Sequence, residues 1–329
     1  MKRIYILLIG LYMLNISVGQ AQTQTSMTNT NNPLLCDPVE GACGLPASTS
    51  RNKVDVHPDD QPVKVIYFTD PICSSCWGIE PQLRKLKLEY GHILDIAYHM
   101  GGLLPDWSYN SGGISKPSDV AHHWDEVSVH YDMPIDGDVW LEDPLHSSYP
   151  PSIAFKAAQM QDEQKAIVLL RELREMVFLQ KTNITRWEHI AIAAEAAGLD
   201  VLQLKTDYEG EAKANFESDL QLAKSMGVRG FPSVFFVDKT GNSEFVYGTK
   251  AYPYYEMAIL KLYPDATKKE YTKDWESLFQ KYPTLTAKEY TELSGTPRAD
   301  SEKLLRSLSD KGVLKVVNTK NGSMWKKGF

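Results

Sequence analysis

The chain has 329 residues, of which 43% are hydrophobic and 23% charged, and its formal net charge is −7. This length leaves room for about two domains and for a buried core that needs no disulfide staples. The acidic balance gives no sign of a basic nucleic-acid face at the level of the whole chain.

The first 21 residues have the pattern of a secretory signal peptide. Lys2 and Arg3 precede an apolar run over residues 4–13, and Gly19 and Ala21 supply the small residues that a signal peptidase reads. We therefore expect cleavage near Ala21, a periplasmic or otherwise exported protein, and no stable membrane insertion after cleavage. A non-cleaved anchor is the alternative, although the apolar run is short for a membrane span.

A polar spacer follows over residues 22–61 and contains the pair Cys36 and Cys43. The segment between the two cysteines, DPVEGA, is rich in turn formers. Two thiols at the ends of a tight loop in an exported protein favour a disulfide between them. A redox role, in which this pair exchanges with Cys73, is the alternative.

Residues 62–264 have the pattern of an α/β domain. β-branched and aromatic residues predict strands over 62–69 and 93–100, and helical spacing of apolar residues predicts a helix over 73–90 between them. Such a strand-helix-strand unit is typical of an α/β sheet. Further helices are predicted over 152–180, 186–197 and 207–225, within a helical insertion at about 116–226, and strands over 233–238 and 244–247 precede a helix over 251–262.

The C-terminal residues 271–329 predict a small winged-helix-like α+β domain. Three short helices, over 271–282, 286–294 and 300–309, precede a hairpin that turns at Asn321-Gly322. From residue 284 onward there are nine Lys and Arg against five Asp and Glu, a net charge of +4. DNA phosphates could be contacted there, but an exported protein meets no chromosome, so we expect a protein-interaction domain and no nucleic-acid partner. The candidate phosphate contacts are Lys315, Lys320, Lys326 and Lys327.

The segment FTDPICSSCW places two cysteines at the start of the predicted helix over 73–90. Unpaired backbone N–H groups at a helix start favour a thiolate, and the second cysteine is one turn away. Cys73 is therefore expected to attack and Cys76 to resolve the mixed disulfide. A structural disulfide or a metal site is the alternative; a structural zinc site needs four ligands, so we expect no metal and no cofactor.

Three further residues are candidates near this pair. Asp70 is interpreted as the start of an Asp-Pro turn, with proton transfer as the alternative. Trp77 is expected to cover the disulfide and shape the substrate surface, unless it is only a core residue. Pro232 directly precedes a strand, where a cis peptide bond to Phe231 explains its position and leaves the Phe231 backbone free to pair with a substrate; a trans bond is the alternative.

FTDPICSSCW, the helical insertion and GVRGFP together resemble the DsbA-type branch of the thioredoxin superfamily. DPICSSCWGIEPQLRKL, MGGLLPDW and SSYPPSIAFKAAQ resemble the subgroup that contains the FrnE-like dithiol isomerases and the adaptor that delivers Spx to the ClpXP protease. The resemblance covers about residues 63–262 and implies a thioredoxin fold with Cys73 and Cys76 as the active pair, facing a cis-proline at Pro232. The Ser-Ser dipeptide between the cysteines leaves the direction of the reaction open.

These features predict a protein thiol-disulfide oxidoreductase or isomerase. Its partners would be protein substrates with cysteines and an unidentified redox partner, and its substrate site would include Phe231, Pro232 and Trp77. The alternative is a non-enzymatic adaptor with a thioredoxin fold. That role belongs to cytosolic proteins, and the signal-peptide pattern opposes it.

Overall fold

The computed structural model describes residues 36–37, 41–44, 61–108 and 114–328. The predicted signal peptide lies outside the described residues. The strands are β1 (Cys36–Asp37), β2 (Ala42–Gly44), β3 (Val63–Thr69), β4 (Leu94–Met100), β5 (Gly230–Phe231), β6 (Ser233–Asp238), β7 (Ser243–Tyr247), β8 (Thr284–Thr286), β9 (Leu314–Thr319) and β10 (Gly322–Lys327). Within these ranges, every helix is too short or too polar to cross a membrane.

Thirteen helices are described. They are α1 (Ser74–Gly78), α2 (Glu80–Tyr90), α3 (Pro117–Tyr131), α4 (Val139–Glu142), α5 (Tyr149–Gln161), α6 (Glu163–Leu179), α7 (Trp187–Ala196), α8 (Val201–Glu209), α9 (Ala212–Ser225), α10 (Tyr252–Leu262), α11 (Trp275–Lys281), α12 (Ala287–Ser294) and α13 (Arg298–Asp310).

The centre of the protein is a four-stranded sheet with the order β4-β3-β6-β7. Strand β3 pairs in parallel with β4 and antiparallel with β6, and β6 pairs antiparallel with β7. All residues of β3 except Lys64 are buried, which explains the nearly continuous apolar sequence of this strand. Helices α3 to α9 lie between β4 and β5 in the sequence. This arrangement is the DsbA-like thioredoxin fold with a helical insertion, as predicted.

Three helices that the periodicity predicts as continuous are each divided in the structure. Pro81 lies in the first turn of α2, where its missing N–H costs nothing, whereas within one long helix it would remove a hydrogen bond. Asp162 separates α5 from α6 and accepts the N–H groups of the first turn of α6. Gly210 ends α8 before α9 begins. Local breaks of this kind leave the apolar period intact, so periodicity alone does not reveal them.

The C-terminal residues form the winged-helix-like unit that the sequence predicts, with one additional strand. Helices α11 to α13 surround a three-stranded sheet in the order β8-β10-β9, and this unit has its own apolar core that includes Leu285 and Trp325. The hairpin turn lies one position earlier than predicted, because Gly322 already pairs with Thr319. Strand β8 has only three residues, too few for a strand pattern to appear in the sequence.

A buried ion-pair network joins the C-terminal unit to the thioredoxin-fold unit. The carboxylate of Glu289 is fully buried and binds both terminal nitrogens of Arg171 at 2.7 and 3.2 Å. Nη1 of Arg84 lies 3.2 Å from the same carboxylate and donates to the Thr284 carbonyl at 2.7 Å. Thr286 caps α12 by a reciprocal hydrogen bond with Glu289. A residue of one unit therefore compensates two buried cations of the other.

A second contact is made by the tip of the C-terminal hairpin. The ammonium group of Lys320 lies 2.7 Å from the Asp125 carboxylate and 2.6 Å from that of Asp138, both in the insertion. The side-chain amide of Asn321 donates to Asp125 and to the Ile135 carbonyl, each at 2.9 Å. Lys320 is one of the four lysines predicted as possible phosphate contacts. In the structure its ammonium group is already paired with carboxylates of the insertion.

We predict that Glu289→Gln lowers the free energy of unfolding by about 3 kcal/mol, because it removes the fully buried carboxylate that Arg171 and Arg84 share. Arg171 keeps Glu175 as a partner at 2.6 Å, and Arg84 keeps Glu80 at 3.9 Å. Burial would raise the pKa of Glu289, but Arg171 and Arg84 hold it below its ordinary value. The stabilisation is therefore present at neutral pH and is lost as the pH falls through this lowered pKa. Denaturant unfolding at several pH values measures the effect.

The matched control is Glu302→Gln on α13, whose partly exposed carboxylate pairs with Arg298 and Arg306. We expect it to cost less than about 1 kcal/mol. Equal losses for the two variants at neutral pH would contradict the role given to Glu289.

Candidate functional site

The two cysteines of CSSC lie at the start of α1, at the end of β3. Cys73 is the N-cap residue, and its sulfur accepts the backbone N–H of Cys76 at 3.2 Å. Both side chains have 0% exposure. The sequence predicts this position on the helix correctly, but the complete burial was not predicted. A thiol at this depth is not presented to the cysteine of another protein.

The electrostatics of the pair differ from those expected of a helix start alone. Burial raises the pKa of the Cys73 thiol, and its hydrogen bond to Cys76 and the nearby Asp70 charge raise it further. Burial would also raise the pKa of Cys76, but the hydrogen bond from Cys73, the Arg174 guanidinium and the Thr69 hydroxyl hold it below its ordinary value. The Arg174 guanidinium and the Thr69 hydroxyl therefore stabilise the charged form of Cys76.

Arg174 of α6 is a site residue that the sequence analysis missed. Its guanidinium is buried and donates to the Thr69 hydroxyl at 2.6 Å, to the Asp70 carbonyl at 3.3 Å and to the Glu80 carboxylate at 2.5 Å. It connects the end of β3 with the start of α2. The only signal in the sequence is an arginine between the apolar positions Leu173 and Val177 of an otherwise amphipathic helix.

Asp70 has more contacts than a turn residue requires. Its carboxylate accepts the N–H groups of Ile72 at 3.0 Å and Leu103 at 2.8 Å, and the hydroxyl of Ser148 at 2.8 Å. The first contact forms the predicted Asp-Pro turn, while the other two hold the loop after β4 and the start of α5. Burial raises the pKa of Asp70 to about 6 despite these hydrogen bonds.

Trp77 lies inside the protein with 0% exposure. Its indole N–H donates to the Pro134 carbonyl at 3.0 Å, and its ring stacks on Phe178 with centroids 5.6 Å apart. The Arg171 guanidinium lies 4.4 Å from the ring centroid. The tryptophan thus links the dithiol helix to α6, and its ring is not part of the protein surface.

The peptide bond between Phe231 and Pro232 is cis, as predicted. The backbone of Phe231 is not free for a substrate, however, because β5 pairs antiparallel with β2, with Cys43 opposite Phe231 and Gly44 opposite Gly230. The predicted substrate-pairing edge is thus occupied by the chain's own N-terminal hairpin. The Phe231 ring packs on Gly101, where a Cβ would lie 1.9 Å from a ring atom.

Two neighbouring histidines of the insertion differ in burial. His123 is buried, and burial lowers its pKa to about 4, while the exposed His122 pairs with Glu126 at 3.1 Å. Among the described residues, no group of three or more His, Cys, Asp or Glu side chains could hold a metal ion.

We predict that Arg174→Met raises the pKa of Cys76 by about one pH unit or more, because the nearest cation is removed. The ultraviolet absorbance of the thiolate as a function of pH, in the Cys73→Ser background, measures it. The control is Arg171→Met, one turn earlier on α6, whose guanidinium pairs with Glu289 instead. An equal rise in both variants would contradict a specific effect of Arg174.

We also predict that the difference in unfolding free energy between the natural protein and Asp70→Asn depends on pH. With a folded-state pKa of about 6, above the ordinary 3.8, Asp70 binds more protons in the folded protein, so its contribution falls as the pH rises through 6. Between pH 5 and 7.5 the natural protein should lose about 1 kcal/mol relative to the variant. A difference that does not change with pH would contradict the raised pKa.

Comparison with known proteins shows the relationship of the chain. A thioredoxin family model matches residues 67–260. The ClpXP adapter protein SpxH of Halalkalibacterium halodurans is 34% identical over 307 residues, which are 91% of this chain and 99% of that protein. SpxH of Bacillus subtilis is 28% identical over 82% of this chain and 90% of its own length. The cytosolic disulfide reductase DsbM of Pseudomonas aeruginosa shares the fold, with a TM-score of 0.50 and 19% identity over 60% of this chain and 98% of its own.

These relatives correct two predictions. The primary prediction of a thiol-disulfide oxidoreductase or isomerase is wrong, because the relatives that match most of the chain are named as adapters and not as enzymes. The prediction of a periplasmic or exported protein is wrong for the same reason, since the adaptor role belongs to cytosolic proteins. The alternative of a non-enzymatic adaptor fits these matches better. The chain belongs to the thioredoxin superfamily and, within it, to the family of the ClpXP adapter proteins SpxH.

Proposed function

We propose that this protein is a non-enzymatic adapter that binds a client protein and delivers it to the ClpXP protease. The observation that carries the proposal is the extent of the match to SpxH of H. halodurans, which covers 91% of this chain and 99% of the relative. A shared thioredoxin fold alone would match only the region 67–260. The match therefore includes the C-terminal unit, which a thiol oxidoreductase of this fold does not need.

The burial of the dithiol supports the same proposal. A dithiol that exchanges with protein substrates needs an accessible attacking thiolate. Cys73 has 0% exposure, its pKa is raised by burial, and the strand edge beside it is already paired. As a scaffold element, by contrast, the buried helix α1 is tied to the loop after α3 by the hydrogen bond from Trp77 to Pro134.

The way in which the two units are joined also supports an adapter. Arg171, Arg84 and Glu289 fix the C-terminal unit on the thioredoxin-fold unit through buried charges. Two units held in one orientation can present a client and contact a protease component at the same time, which raises the effective concentration of one for the other. The client we propose is a protein of the Spx type, on the basis of the family relationship.

The test is degradation of an Spx-type protein by purified ClpX, ClpP and ATP, with and without this protein. We expect it to accelerate degradation by about tenfold or more through the raised effective concentration. The double variant Cys73→Ser/Cys76→Ser should keep the acceleration within about twofold, because the dithiol is buried structure in this proposal. No acceleration by the natural protein, or its loss in the double variant, would contradict the proposal.

Glu289→Gln tests the contribution of the joined units in the same assay. Since the variant weakens the buried ion pairs between them, we expect it to lower the acceleration, whereas Glu302→Gln should not. Client binding measured in parallel separates a failure to bind from a failure to deliver. Equal activity of both variants would show that the fixed orientation is not needed.

A further inference from the structure

The N-terminal hairpin formed by β1 and β2 lies against the dithiol helix. Strand β2 pairs with β5, whose last residue, Phe231, precedes the cis-proline, and β2 also contacts α1. The amide of Thr249 donates to the Gly41 carbonyl in the hairpin turn, and the Thr249 hydroxyl donates to the Ser75 carbonyl of α1 at 3.4 Å. Thr249 therefore bridges the hairpin and the CSSC segment.

Gly41 is required for this docking. It adopts a φ of +66°, and a Cβ there would lie 2.7 Å from both the backbone nitrogen and the backbone oxygen of Thr249. Neither the conformation nor the space admits a side chain. The hairpin turn at Gly41 thus packs closely against Thr249, which contacts α1. A substitution of Gly41 should therefore detach the hairpin from Thr249.

In the register of the hairpin the two cysteines are cross-strand partners, and one of them also pairs with the residue before the cis-proline. Cys36 is the cross-strand partner of Cys43, and Cys43 is the partner of Phe231. Directly opposed residues in antiparallel strands have Cα atoms about 4.5 to 5.5 Å apart, which lies within the range that a disulfide spans. Strand β2, which carries Cys43, pairs with β5 and also contacts α1, which begins directly after Cys73. The two cysteine pairs therefore belong to elements that contact each other.

We propose that the hairpin is an intramolecular partner of the dithiol: its cysteine pair exchanges a disulfide with Cys73–Cys76 while β2 is paired with β5. The exchange takes place within one chain and turns over no protein substrate. It does not depend on the adapter proposal, and it gives the buried dithiol a reaction partner on a strand that contacts α1.

The exchange balances without an external reagent. From a Cys73–Cys76 disulfide and a reduced hairpin, the Cys43 thiolate attacks the Cys73 sulfur, the bond to Cys76 breaks, and Cys76 leaves as a thiolate. The Cys36 thiolate then attacks the Cys43 sulfur, a Cys36–Cys43 bond forms, and Cys73 leaves. The hairpin loses two electrons and the dithiol gains them, while the two protons of the attacking thiols pass to the two leaving thiolates.

The electrostatics of α1 favour this direction of attack. A thiol with a lower pKa leaves faster, and Arg174 together with the Thr69 hydroxyl helps to hold the pKa of Cys76 below its ordinary value. Cys73 is the N-cap residue of α1, and its sulfur forms the bond to the hairpin in the first step. The arrangement assigns Cys43, rather than Cys36, as the residue that links to Cys73.

The test uses two matched variants of the full chain that each keep one hairpin cysteine and Cys73. In Cys36→Ser/Cys76→Ser the remaining pair is Cys43 and Cys73, and in Cys43→Ser/Cys76→Ser it is Cys36 and Cys73. Each protein is treated with a chelator, incubated with oxidised glutathione, quenched by alkylation and mapped by mass spectrometry. We expect the intramolecular link to Cys73 to form about tenfold faster or more with Cys43 than with Cys36, because only Cys43 is paired at the cis-proline loop.

Gly41→Val in the first variant tests the docking itself. It should reduce the Cys43–Cys73 link by about tenfold or more, and in the otherwise natural chain it should speed alkylation of Cys73 and Cys76 by a similar factor, since buried thiols react through the open form. The control is Gly312→Val, which also has positive φ but no atom within 4 Å of the added Cβ. Circular dichroism verifies that each variant is folded.

Absence of an intramolecular link to Cys73, equal rates with Cys36 and Cys43, or a link that Gly41→Val leaves unchanged would each overturn the proposal. Because the readout is a disulfide map and not degradation by ClpXP, its failure is distinguishable from failure of the adapter proposal.

Discussion

Two arginines on adjacent turns of α6, the buried Arg174 and the largely buried Arg171, connect the elements at the centre of the protein. Arg174 binds the end of β3 and the Glu80 carboxylate, and Arg171 binds Glu289 of the C-terminal unit. A buried guanidinium is stable only when its charge is compensated, and Glu80 does this for Arg174, while Glu289 and Glu175 do so for Arg171. The two contacts therefore fix three elements relative to α6: the strand that precedes the dithiol, the helix that follows it, and the C-terminal unit. Trp77, which lies under Arg171, connects the dithiol helix to the same centre.

The surroundings of the CSSC motif in the structure differ from those that the sequence predicts. In the sequence the motif has the composition and position of a redox pair, and the resemblance to thioredoxin-fold proteins implies the same. In the structure both sulfurs are buried, the adjacent strand edge is paired, and the Arg174 guanidinium acts to lower the pKa of Cys76. The same motif can thus lie at the expected position of the fold and still be buried, which is why fold and motif do not by themselves determine function.

Local patterns predicted most of the fold, because the sheet strands and the larger helices have strong periods of their own. The strand over 233–238 and the cis bond before Pro232 were predicted correctly, since apolar runs and proline constraints act over a few residues. The divisions at Pro81 and Asp162 were not, because a local break leaves the apolar period intact, and β8 is too short to show a strand pattern. The pairing of β2 with β5 was missed because it depends on contacts between segments far apart in the chain. Arg174 was missed for the same reason: whether an arginine is buried depends on partners such as Glu80, 94 residues away.

The pairing of charges across the two units has a consequence for the order in which the chain is made. Translation proceeds from the N-terminus, so Arg84, Arg171 and the acidic group around Asp125 emerge well before Glu289 and Lys320. Until the last part of the chain leaves the ribosome, Arg84 and Arg171 lack the buried carboxylate that they share, and the carboxylate cluster lacks its ammonium group. The final residues are therefore not an appendage to a finished domain, and a chain that ends early would leave the first unit electrostatically incomplete.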